Sequence, residues 1–171
     1  MPSSRHVARK ICTLMDFKIA RRIVEVGPGT GVITREILEC LHPDAKLIVF
    51  EVNKEFCDEL RAYKDSRLVV HNVSAFQMHT VLPAKADYVV SGIPVATLSK
   101  LDFCRLHAEI RQILDPDGVF MQLQLAPVSY IRLKRLFTEV KVDFTLRNAP
   151  PAFMYSCRKP RRWISAVPDA A

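Results

Sequence analysis

Three glycines at alternate positions, Gly27, Gly29 and Gly31, follow directly on the apolar run Ile23-Val24-Glu25-Val26. Glycine carries no Cβ, so this spacing suits a tight turn over which a ligand can approach the backbone closely. From Gly31 the residues Val32, Ile33, Ile37, Cys40 and Leu41 recur at helical intervals, so the turn joins a strand to a helix. The same alternation continues along the chain. A first helix is predicted over residues 4–16, and strands over 22–26, 46–51, 67–71, 87–91 and 119–125. Between them, Asn53 caps a helix carrying Phe56, Leu60 and Tyr63. Ser99 and Asp102 open a second, stopped by the turn Asp115-Pro116-Asp117-Gly118. A basic helix around 130–137 and two closing strands, about 139–147 and 152–158, complete the order. Nearly continuous apolar strands alternating with helices imply an α/β fold: a Rossmann-like parallel sheet covered on both faces.

A chain of 171 residues with 49% hydrophobic content forms one domain, expected over 1–162, with a fraying tail at 163–171. No apolar stretch approaches the ~20 residues that span a bilayer. The opening MPSSRHVARK has no apolar signal core, which implies a cytoplasmic protein. Five cysteines, odd in number and without a CxxC pair, read as reduced thiols; no metal site is expected. The net charge of +7 is uneven: residues 1–22 carry +5, residues 130–162 carry +7, and the middle is acidic. Basic ends imply attraction to an anionic surface, either nucleic acid or membrane.

The glycine spacing separates two cofactor classes. A dinucleotide turn reads GxGxxG and receives a pyrophosphate at a helix N-terminus. Here it reads GxGxG, Pro28 removes one backbone donor, and the acidic Glu25 precedes the turn. An acid in that place suits a ligand with a cationic amino group, which describes S-adenosylmethionine. The segment Glu25-Val-Gly27-Pro-Gly29-Thr30-Gly31 resembles motif I of the class I S-adenosylmethionine-dependent methyltransferases. Glu51, twenty residues past Gly31 at the end of the second strand, matches that family's acid for the ribose hydroxyls. The resemblance implies a seven-stranded, mostly parallel sheet with an antiparallel last strand. Where the family commonly has Asp for the adenine amino group this chain has Val73, flanked by Asn72 and Ser74 as substitutes.

Three further segments resemble the bacterial phospholipid N-methyltransferases: Pro2-Ser3-Ser4-Arg5, Val90-Ser91-Gly92-Ile93-Pro94 and Asn148-Ala-Pro150-Pro151-Ala152. The resemblance implies methylation of the amine of phosphatidylethanolamine or a related aminolipid. His6, Ser91, Asn148 and Tyr155 are the candidates for orienting that amine or passing its proton to water, with Ser91 also beside the cofactor. Arg158-Lys159-Pro160-Arg161-Arg162-Trp163-Ile164 joins cations to an indole, a combination suited to an anionic headgroup layer at the inner face of a membrane. Arg132, Lys134 and Arg135, and Arg5, Arg9 and Lys10, are expected on the same side.

Three rival readings remain open in the sequence, one of them a small-molecule amine methyltransferase. The rRNA adenine dimethylases share motif I and the positive charge, but an aromatic normally follows their Asn/Asp-x-Pro signature, and Val95 stands here. A non-catalytic S-adenosylmethionine-binding or membrane-associated protein is the third. Oligomeric state is not legible in the sequence.

Overall fold

The computed structural model describes residues 4–82, 84–125, 129–145 and 151–160, with residues 159 and 160 described as backbone only. Pro2 and Ser3, Asn148, the cluster Arg161-Arg162-Trp163-Ile164 and the expected tail at 163–171 lie outside the described residues. The elements run α1 (Arg5–Cys12), β1 (Arg22–Val26), α2 (Val32–Cys40), β2 (Lys46–Phe50), α3 (Lys54–Arg61), β3 (Leu68–His71) and α4 (Met78–Val81). They continue with β4 (Ala86–Ser91), α5 (Lys100–Ile113), β5 (Leu114–Gln124), α6 (Tyr130–Leu136), β6 (Phe137–Thr145) and β7 (Ala152–Pro160).

One seven-stranded sheet has the order β3-β2-β1-β4-β5-β7-β6. The first five pair in parallel, and β7 runs antiparallel to both β5 and β6. The expected sheet, including its antiparallel last strand, is therefore present. Strands of a sheet covered on both faces must be apolar at successive positions. Ile23 and Val24 show this: neighbours in β1, both fully buried, they belong to different cores. Val7, Ile11, Ile37 and Leu60 bring α1, α2 and α3 to one face. Met78, Leu106, Ile110 and Leu133 bring α4, α5 and α6 to the other. Each such side chain contributes about 1.5–3 kcal/mol of burial.

Several boundaries move from their predicted places. The first helix stops at Cys12, although Leu14 and Met15 keep the helical spacing, because the backbone N–H of Asp16 donates to the Tyr88 hydroxyl at 3.0 Å. This cross-link to β4 turns the chain toward β1. The predicted turn at Asp115–Gly118 survives as an irregularity inside the span of β5. The pairing with β4 jumps from Ala86–Leu114 to Tyr88–Val119, and the Asp115 carboxylate accepts from the Asp117 N–H at 2.9 Å. The closing strands occupy 137–145 and 152–160, each overlapping its predicted span but shifted by up to two residues.

Candidate active site

The parallel strands deliver the loops after Val26, Phe50, Ser91 and Gln124 to one edge of the sheet, where ligands of open α/β folds bind. Gly27 and Gly31 have φ of +67° and +73°, a region costly for other residues, and space is short at both. A Cβ on Gly27 would stand 2.9 Å from Ile93 Cγ1; one on Gly31 would stand 2.6 Å from Leu60 Cδ2. Gly29, with φ of +54°, faces open space instead. The outer two glycines thus let the turn pack against its neighbours, and the middle one leaves room above it for a ligand.

Two carboxylates flank that space. Glu25 is 1% exposed; its Oε2 accepts from Thr34 Oγ1 at 2.7 Å, while its buried Oε1 has no hydrogen-bond partner among the described residues. Burial pushes its pKa up to about 7; the Thr34 hydrogen bond opposes the rise and the charge of Glu51 adds to it. An orphaned, buried carboxylate oxygen is costly unless a donor arrives, and a cationic amino group is the donor that favours its ionised form. Glu51, 8% exposed, follows β2 and accepts from the Gly29 N–H at 3.2 Å and the Asn53 N–H at 2.8 Å. Both of its oxygens are thereby aimed, and each keeps a lone pair for a vicinal diol.

The neighbours expected at the adenine end serve the frame first. Asn72 Nδ2 donates to the carbonyls of Glu51 and Val52, at 2.9 and 3.0 Å, holding the turn that carries Glu51. Ser74 Oγ accepts from the Phe76 N–H, capping a short 3-10 turn, and Val73 packs against the α5-side core. The exposed Thr30 lines a cavity of about 390 Å³ with Arg5, Val32, Arg35 and Glu36. These residues fit S-adenosylmethionine: an unpartnered acid for its amino group, a glycine cradle with open space, and a bidentate acceptor for its ribose.

Ser91 ends β4 fully buried, its Oγ accepting from the Ile93 N–H at 3.3 Å. Ser91, Gln122 and Tyr155 are successive partners across β4, β5 and β7, so their side chains share the face that carries α5. Two glutamines unmarked in the sequence hold this loop from behind. Gln122 Nε2 donates to the carbonyls of Ser91 and Ile93, at 3.1 and 2.9 Å, and Gln124 Nε2 to that of Ile93 at 3.2 Å. The i, i+2 spacing of two amides in an otherwise apolar strand was the available signal.

Tyr155 is fully buried and its pKa is raised by that burial, so its phenol stays protonated. Gln122 Oε1 and Ser129 Oγ are buried with no hydrogen-bond partner among the described residues, and the Tyr155 hydroxyl has at most the nearby backbone N–H of Ser129, which opposes the rise. His6 is exposed on α1 beside Arg5, which reaches the cavity under Thr30. The N-terminal cations, expected on the same side as Arg132, Lys134 and Arg135, are paired with acids, although Arg5 and Arg9 stay 61% and 59% exposed. Arg5 and Arg9 both pair with Glu36 of α2, Arg5 also with Glu39, and Lys10 lies 3.9 Å from Asp143. Their charge joins α1 to α2 and to the β6 edge.

Comparison with known proteins agrees with this geometry. Residues 23–118 match the family model described as a methyltransferase domain. The chain is 36% identical over 164 residues to an ornithine lipid N-methyltransferase of Singulisphaera acidiphila, covering 92% of this chain and 85% of that protein. It is 34% identical over 107 residues to ribosomal RNA small subunit methyltransferase A of Nitrosomonas europaea, covering 63% of this chain and 39% of that protein. Among solved structures, the N-methyltransferase NodS of Bradyrhizobium japonicum superposes with a TM-score of 0.74 at 16% identity, over 92% of this chain and 96% of that one. Its complex with S-adenosyl-L-homocysteine superposes with a TM-score of 0.72.

The chain belongs to the methyltransferase-domain family, in class I of the S-adenosylmethionine-dependent enzymes. Its cofactor is S-adenosylmethionine. The protein is an S-adenosylmethionine-dependent N-methyltransferase, which removes the non-catalytic reading.

Proposed function

We propose that this enzyme methylates the amine of an aminolipid headgroup at a membrane surface: phosphatidylethanolamine, its methylated derivatives, or a headgroup built on an amino acid such as ornithine. The observation that carries the reading is the extent of the match to the ornithine lipid enzyme, 92% of this chain against 63% for the ribosomal RNA enzyme of Nitrosomonas europaea. The loop Ser91-Gly92-Ile93-Pro94-Val95 supports it, since it offers no aromatic ring on which a flipped base would stack. No helix among the described residues is long and apolar enough to cross a membrane, so the substrate is met from the side.

These headgroups present an amine on a flexible alkyl chain, primary before the first methylation and secondary or tertiary after it, mostly protonated near neutral pH as lysine is. Bound S-adenosylmethionine supplies an electrophilic methyl group on a sulfonium. The protein's part is to hold the amine neutral, in line and about 3–3.5 Å from that methyl. A nearby positive charge and partial desolvation both favour loss of the ammonium proton. We assign the orienting hydrogen bonds to Ser91 and, through the row it shares with Gln122, to the protonated Tyr155. Asn148, outside the described residues, and the exposed His6 remain proposals for the proton's path to water. Thr30, Asn72 and Ser74 join Glu25, Glu51 and the three glycines in the proposed cofactor set.

The test is transfer of labelled methyl into phosphatidylethanolamine, ornithine lipid and ribosomal RNA in parallel, each lipid dispersed in detergent. Label in the organic phase is expected. Label confined to RNA would overturn the reading.

A further inference from the structure

We propose that one corner of the sheet's catalytic edge, beside α5 and α6, is the face on which this enzyme seats itself in an anionic bilayer; this rests on the aminolipid reading. Leu101, Leu125, Ile131 and Phe144 are 67, 42, 68 and 61% exposed. Their positions in the fold gather them. Leu125 follows directly on the C-terminal end of β5, and Ile131 is the second residue of α6, which begins at that same edge. Leu101 is the second residue of α5, just beyond the loop from Ser91. Phe144 pairs with Phe153, which pairs in turn with Gln124, the last residue of β5. Phe144 thus stands at the catalytic edge too, on the sheet face that carries α5 and α6.

Isolated exposed apolar residues are ordinary, whereas several at the mouth of one site mark an interaction surface. The charges beside them are mainly positive, with Asp102 and Asp143 the acids next to Leu101 and Phe144 in the chain. Lys100, Lys134 and Arg135 are exposed and form no salt bridge among the described residues. Lys134 Nζ lies 5.4 Å from the centre of the Tyr130 ring, at the start of α6, so its side chain runs back toward the edge. Asp102, the acid of the first turn of α5, is already held by the Ser99 hydroxyl at 2.7 Å. The cations of α1, by contrast, are neutralised by Glu36, Glu39 and Asp143. Apolar tips ringed by free cations complement the interface of an anionic membrane, where such side chains dip below the phosphates and the ammonium and guanidinium groups stay level with them. Seating this corner brings the loop at Ser91 to headgroup depth, where the amine of an aminolipid lies.

The experiment compares the parent with Leu101→Ser/Ile131→Ser/Phe144→Ser and with Lys100→Gln/Lys134→Gln/Arg135→Gln. Each is sedimented with vesicles of phosphatidylethanolamine and phosphatidylglycerol, and assayed on those vesicles and on a short-chain aminolipid kept monomeric below its micelle concentration. The serine variant is expected to lose about a hundredfold in vesicle partition and tenfold or more in turnover on vesicles, with turnover on the monomeric lipid unchanged. The glutamine variant should lose the parent's dependence on phosphatidylglycerol and on salt. Unchanged partition of the serine variant would overturn the proposal. So would an equal loss on monomeric lipid, which would assign these residues to the fold or the site. A parent dimer that the serine substitutions dissociate, without any change in vesicle binding, would give the corner to a second copy and overturn it as well. If the parent binds vesicles through this corner but methylates neither lipid form, the docking face stands and the substrate reading falls.

Discussion

Replacing Glu25 with Gln separates what this side chain does for the fold from what it does for the ligand. Burial raises the carboxyl pKa from an ordinary 4.5 to about 7, and each tenfold change in proton affinity corresponds to about 1.4 kcal/mol. A folded pKa above the unfolded one means that the stabilisation is complete below about pH 4.5 and is lost as pH rises through about 7. The ligand-free enzyme therefore carries a penalty of roughly 3 kcal/mol at pH 8, an upper bound because water can enter the open cradle. Glutamine keeps an oxygen for the Thr34 hydroxyl and never ionises. Thermal unfolding followed by circular dichroism should show Glu25→Gln melting about 5–10 °C above the parent at pH 8, and together with it near pH 4.5. Binding should move the other way. Loss of a charge-assisted hydrogen bond costs about 1.5–3 kcal/mol, so calorimetry should find S-adenosylmethionine bound about 10- to 100-fold more weakly. The parent's affinity should also improve as pH rises through 7, with proton release, and the variant's should not. A variant that melts lower at pH 8, or binds the cofactor as tightly as the parent, would refute the reasoning.

Further outcomes follow from the same geometry. Gly31→Ala must place a methyl 2.6 Å from Leu60 Cδ2 at φ +73°, and should lose about 2–4 kcal/mol in chemical denaturation. Gly29→Ala meets no neighbour, so it should lose only about 1–2 kcal/mol from its positive φ while cofactor binding measured by calorimetry collapses. Gln124→Met removes a donor to the Ile93 carbonyl without opening a cavity; steady-state kinetics should show kcat down about tenfold with cofactor affinity within threefold. His107, buried with its pKa lowered to about 4 chiefly by desolvation, favours the folded state when neutral. That contribution is present above about pH 6.5 and is lost as pH falls toward 4, about 3 kcal/mol in all. A His107→Met variant should lack that slope in denaturant titrations over the window.

The sheet and the glycine turn with its flanking acids were legible because both follow from local pattern. Apolar runs at strand length, helical spacing between them, and an acid before GxGxG are short-range signals, and the order of Glu25, Gly27, Gly29, Gly31 and Glu51 already places them on one edge of a parallel sheet. The helix boundary at Cys12 was not legible, because a hydrogen bond to Tyr88, 72 residues away from Asp16, ends the regular spacing there. Gln122 and Gln124 were hidden for a related reason: their amides matter through the carbonyls of Ser91 and Ile93, which another strand brings to them.

Charge shows the division most sharply. The sequence by itself determined that both ends are basic, that the chain alternates strand and helix, and that an acid and three glycines make the turn. Only the tertiary structure decided which cations are free. Packing α1 on α2 sets Arg5 and Arg9 against Glu36 and thereby uses up their charge, while Lys100, Lys134 and Arg135 keep theirs beside exposed Leu101 and Ile131. The physical reason is range: propensity and spacing act between neighbours in the chain, whereas pairing and desolvation depend on which side chains the completed fold brings within a few ångströms.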